Sequence, residues 1–112
     1  MAFVEWSVYA AKLRQCADRM SGAGTAAEVR SSIVENARLW AQLEGVLSER
    51  LEKKSADWQT LYSRARYVAE IATYLPRVAD IHVQTCVAIN QQSAEMMPLL
   101  ELSTTDFKLI RN

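Results

Sequence analysis

Glycine and proline are scarce in this chain, three and two in 112 residues, and histidine is rarer still, with His82 alone. So few breakers leave little material for turns, and no strand-like alternation of useful length accompanies them. One histidine excludes a convincing zinc centre, which needs about three or four ligands. Cysteine is limited to Cys16 and Cys86, far apart and each in a mostly apolar stretch. Without a signal peptide they read as free, buried thiols, with a disulfide as the competing reading. Net charge is also missing, with 13 Lys plus Arg against 13 Asp plus Glu. That argues against a dedicated nucleic-acid binder, whose affinity rests on a clustered basic surface, so no nucleic acid is expected as a partner. No block of about five or six like charges supports a polybasic membrane anchor. No uncharged run approaches the roughly 20 residues of a membrane helix. The first residues include Glu5 and carry no basic leader, so no membrane contact and a cytoplasmic location are expected.

What is present is apolar periodicity. Half the chain is hydrophobic, enough for a single core in one domain. Phe3, Trp6, Tyr9 or Ala10, Leu13, Cys16 or Ala17 and Met20 recur at intervals of three and four, one face of a helix. Ser21-Gly22-Ala23-Gly24 ends it. Thr25-Ala26-Ala27-Glu28 fits a capping box, in which Thr25 accepts from the Glu28 amide and the Glu28 carboxylate reaches back to the Thr25 amide. The helix it opens buries Val29, Ile33, Asn36 or Ala37, Trp40, Leu43, Leu47 and Leu51, and carries Gly45 inside it. Ser55 or Asp57 caps a third helix, striped by Trp58, Leu61, Tyr62, Ala65, Val68, Ile71, Ala72 and Leu75. Proline disfavours helical geometry in the residue before it, so Leu75 marks a boundary and Pro76 opens helix four. A kinked continuous helix is the alternative. Helix four carries Val78, Ile81, Thr85, Ala88 or Ile89, Gln92 and Met96 on one stripe, widened by Val83, Cys86 and Val87, and Pro98 closes it. The expected fold is all-α, a small bundle of about four helices over residues 1–98. Residues 99–112 form a short C-terminal tail, docked or mobile, in which Ser103 to Asp106 caps a short turn holding Phe107, Leu109 and Ile110.

Chemistry is harder to find. His82 and Cys86, four apart, share a helix face, but nothing supplies the third group or oxyanion hole of a nucleophile site. No Glu-x-x-His pair supports a di-metal bundle. Gly22-Ala23-Gly24 lacks the Gly-Lys-Ser/Thr of a phosphate loop. Arg64 and Arg66 interleave with Tyr62 and Tyr67, a stacking pattern that zero net charge assigns instead to a solvated helix edge. No catalytic, cofactor-binding or metal residue is assigned, and the chain reads as a non-enzyme. The aromatics and methionines carry more. Trp40 reads as core. Trp6 and Trp58, near helix starts, join Val83, Val87, Met96, Met97 and Phe107 as candidates for partner binding.

The segment Asn36-Ala37-Arg38-Leu39-Trp40 resembles the Asn-x-x-Leu-Trp signature of the FlaF family, small cytoplasmic proteins that regulate flagellin in bacterial flagellar systems. Val87-Ala88-Ile89-Asn90-Gln91-Gln92 is similar to that family's late aliphatic-Ile-Asn element, before an apolar stop at Met96-Met97. Asn36, Leu39, Trp40, Ile89 and Asn90 are then signature residues expected in the core. The chain departs from the family pattern at Asp57 to Arg64, where a Leu-Pro and a Leu-Arg-Ala-like segment are usual, and past Pro98. The resemblance spans residues 10–97 and implies a non-enzymatic partner of flagellin, a secretion chaperone or regulator that covers an amphipathic segment in an apolar groove. The competing function is a self-associating structural bundle subunit, a homo-oligomer, or an adaptor in an unrelated pathway.

Overall fold

The computed structural model describes residues 6–74 and 80–111, with side chains described as far as Leu100. Among the described residues there are four helices and no strand: α1 (Trp6–Gly22), α2 (Ala26–Arg50), α3 (Ala56–Thr73) and α4 (Asp80–Arg111). The molecule measures 53 × 23 × 23 Å. At 1.5 Å per residue α4 is about 48 Å long and spans nearly all of it.

Local chemistry sets the helix ends. Thr25 is extended and its hydroxyl accepts from the Glu28 amide at 3.1 Å, starting α2. The returning Glu28 carboxylate accepts from Gly24 at 3.2 Å, one residue before the expected Thr25 amide. Gly24 has no side chain, so its amide is open to the carboxylate. Of the two candidate caps for α3, Ser55 serves, accepting from the Trp58 amide at 3.1 Å. Helix α3 stops at Thr73, where the Tyr74 amide turns back to the Ile71 carbonyl at 3.1 Å. A single kinked helix is thereby excluded; Leu75, Pro76 and Val78, like Phe3, lie outside the described residues.

Helix α1 lies alongside α4, and α2 alongside α3; a further seam joins α1 to α2, and a smaller one joins α3 to α4. Met20 and Val83 share one groove while Leu13 meets Asn90, so α1 and α4 run antiparallel. The interior is filled by Trp6, Leu13 and Met20 of α1, Ile33, Trp40, Leu43 and Leu47 of α2, Leu61 and Val68 of α3, and Cys86, Ala94, Met97 and Leu100 of α4. On the first three helices the buried positions follow the apolar stripes, with Ala10 and Ala17 rather than Tyr9 and Cys16 facing inward. Both cysteines are free, Cys86 buried and Cys16 half-buried.

Helix α4 departs from expectation twice. Its core face is Cys86, Asn90, Ser93, Ala94, Met97 and Leu100, one position on from the apolar stripe. One position is a rotation of about 100°. Ile81 faces solvent at 63% exposure and Gln92 is exposed. Counting apolar residues missed this because Asn90 and Ser93 are polar residues that enter the core with hydrogen-bond partners. Pro98 also fails to stop the helix, which continues to Arg111 with Pro98 inside it, so no separate capped turn begins at Ser103. Proline in a helix interior costs about 3 kcal/mol through its missing N–H and ring clash. Burial of Met97 and Leu100 on either side of it offsets that cost, at about 1.5–3 kcal/mol for each such side chain. Pro98 itself is exposed.

Candidate functional site

Two features stand out from a well-filled interior: a buried polar hub and an apolar groove at one end of the bundle. The hub centres on Asn90, which is fully buried. Its carbonyl oxygen accepts from the Trp40 indole Nε1 at 2.9 Å. Its amide nitrogen donates to the Asn36 carbonyl oxygen at 2.7 Å and to the main-chain carbonyl of Leu13 at 3.0 Å. One side chain of α4 thereby holds α1 and α2 in register. Buried polar groups are tolerated when bonded, and three of the four possible partnerships of the Asn90 carboxamide are filled. Asn36 is less complete: its Nδ2 is buried without a partner among the described residues. Leu39 is buried, and Ile89 is half-buried against the core. Of the five residues Asn36, Leu39, Trp40, Ile89 and Asn90, three are joined by direct hydrogen bonds: Asn36, Trp40 and Asn90.

The groove lies where the end of α1, the start of α2 and the start of α4 converge. Met20, Val29, Val83 and Val87 line its apolar part, and Asp80 and Gln84 its polar edge, around about 290 Å³. That is room for one or two apolar side chains of a partner. Ile81, in the first turn of α4, is exposed, as is Tyr74 at the end of α3. A second depression of about 280 Å³ runs across α1 and α2. It is edged by Lys12, Arg38 and the exposed Arg19–Glu35 ion pair, with Leu39 and Cys16 as its least polar members.

The candidate partner-binding residues divide accordingly. Val83 and Val87 meet in the first groove. Trp6 and Met97 are corrected: at 1% and 0% exposure they belong to the core and present no surface in this conformation. Trp6 opens α1 with its ring against the bundle, and Met97 sits on the rotated core face of α4. Met96 is half-buried and its sulfur lies 3.3 Å from the Arg64 guanidinium. Trp58 is half-buried and stacks on Tyr62 with ring centroids 4.6 Å apart. Phe107 lies outside the described side chains. Arg64 is engaged with Ser93 at 3.0 Å and Gln92 at 3.4 Å, and so ties α3 to α4.

Sequence reasoning missed the inward Ser93 and the Arg64 latch. Neither leaves a periodic signal, because both depend on where α3 meets α4. Burial pushes the Cys86 thiol up to about 11. The Cys16 thiol is also raised, first by burial, with Arg19 opposing and Glu35 adding. Both are therefore thiols rather than thiolates near neutral pH. Among the described residues no cluster of three or more His, Cys, Asp or Glu could hold a metal ion. No described helix is long and apolar enough to cross a membrane. No family of known proteins, no curated protein and no solved structure matches the chain.

Proposed function

We propose that this protein is a non-enzymatic, cytoplasmic binding factor for an amphipathic segment of another protein, with flagellin as the favoured partner. In this reading it acts in flagellum biogenesis as a secretion chaperone or regulator, as the FlaF resemblance implies. The observation that carries the reading is the groove of Met20, Val29, Val83 and Val87. Apolar anchors spaced three or four apart on an incoming helix suit such a groove. The resemblance adds the partner: its signature residues Asn36, Trp40 and Asn90 form one hydrogen-bonded unit that fixes the helices framing the groove. Export substrates keep terminal segments unfolded until assembly, and covering such a segment prevents premature association.

Titration of the full chain with flagellin terminal peptides, followed by fluorescence anisotropy, tests this. Micromolar binding that Val83→Glu together with Val87→Glu abolishes is the expected result. No binding at micromolar concentration removes the reading. A second reading, self-association, draws on the outward Ile81 and on Leu99, 65% exposed. It predicts a mass in sedimentation that rises with concentration.

A further inference from the structure

We propose that the bundle is built as two halves that part as units, the α1–α4 pair swinging away from the α2–α3 hairpin. The seams within each half are the more extensive ones. The boundary between the halves is where polar bonds collect. Across it run Trp40 to Asn90, Asn90 to Asn36, Arg64 to Ser93, Met96 and Gln92, and Arg19 to Glu35. A hydrogen bond lost to separation is replaced by one to water, whereas an apolar contact is not, so a boundary rich in polar bonds is the cheaper one to open. Asn36 adds a second observation. It is 1% exposed and its Nδ2 has no partner in the closed bundle among the described residues, so opening hydrates a group that closing strands. The connection from α1 to the hairpin is three residues, Ala23 to Thr25, with open space around Gly24. The inference concerns the bundle's own motion and stands whether or not flagellin is the partner.

Cys86 belongs to the core that both halves share and serves as the probe of this opening. It is 1% exposed and sits one turn before Asn90 on the inward face of α4. The experiment is alkylation of the wild-type chain with iodoacetamide over a urea series, with Cys16 and Cys86 resolved by peptide mass spectrometry. Unfolding followed by circular dichroism gives the global transition. Parting of the halves predicts that Cys86 labelling depends on urea about half as steeply as global unfolding or less, since less surface is exposed. Equal steepness and equal free energy would overturn the proposal, because the core would then open only by complete unfolding. Fraying of the first turns of α4 also gives a shallow dependence, so Arg64→Met provides the second arm. Its bonds fall on residues 92, 93 and 96, beyond the segment that fraying would release. Separation predicts about three- to tenfold faster Cys86 labelling without urea in this variant, for the loss of hydrogen bonds across the seam. An unchanged rate assigns the exposure to fraying and refutes the two-part motion.

Discussion

Replacing Asn90 with leucine removes the hub while keeping the number and branching of the side chain's heavy atoms. The acceptor for the Trp40 indole N–H is lost, as is the donor to the Asn36 carbonyl. The Leu13 carbonyl keeps the bond from its own helix and suffers little. Two buried polar groups are left stranded, each at about 1–3 kcal/mol, so Asn90→Leu should destabilise by about 2–6 kcal/mol. Against a total of about 5–15 kcal/mol this is a severe loss, and it should lower the melting temperature by about 10 °C or more. Asn36→Leu is formally the same change and should cost far less. It breaks the 2.7 Å bond but also removes an Nδ2 that has no partner among the described residues, so the two effects oppose each other. Urea unfolding followed by circular dichroism measures both. A double-mutant cycle of Asn90→Leu with Trp40→Phe should show coupling of about 1 kcal/mol or more. Additive costs within about 0.3–0.5 kcal/mol, or equal costs for the two asparagines, would refute the network as described.

Gly45 lies exposed inside α2 with nothing within 4 Å of an added Cβ, so Gly45→Ala should stabilise by about 1 kcal/mol in the same urea assay. Pro98→Ala restores an N–H inside α4 and should stabilise by about 1–3 kcal/mol, read as a higher melting temperature with unchanged helix content. Cys86 should give a pH signature in stability. Its folded value of about 11 stands above the ordinary 9.0, so the folded state holds the proton more tightly. The stabilisation is whole below about pH 9 and is lost as pH rises towards 11, in a window that Cys16 shares with the same sign. Comparing urea midpoints of wild type and Cys86→Ala from pH 8 to about 11 isolates the Cys86 share, and identical slopes would contradict it.

The first three helices were legible because their apolar residues recur at helical spacing and their caps are local in sequence. Thr25 with Glu28, and Ser55 with Trp58, need only three residues of chain to meet. Helix α4 was less legible for a physical reason. Its burial is decided by partners 29 to 77 residues away, since Arg64 draws Ser93 inward and Leu13, Asn36 and Trp40 draw in Asn90. Read without those partners, Asn90 and Ser93 look like solvent positions and the stripe shifts by one residue. Pro98 misled similarly, because the burial that holds α4 together around it is tertiary. Of the candidate surface, Val83 and Val87 were found as surplus apolar positions. The burial of Trp6 and Met97 could not be separated from surface placement by periodicity, which gives a face but not what covers it.

The pairing of α1 with α4 has a consequence for synthesis. The Asn90 side chain reaches a carbonyl 77 residues earlier in the chain. At a translation rate of about 5–20 residues per second, Asn90 is synthesised roughly 4–15 s after Leu13. During that interval the inward face of α1, with Trp6, Leu13 and Met20, has only α2 to cover it, the smaller of its two seams. The nascent protein therefore passes through a stage in which it displays an amphipathic helix lacking its final neighbour. Its own birth then poses the same hazard of premature apolar association that the proposed groove would guard against in another chain.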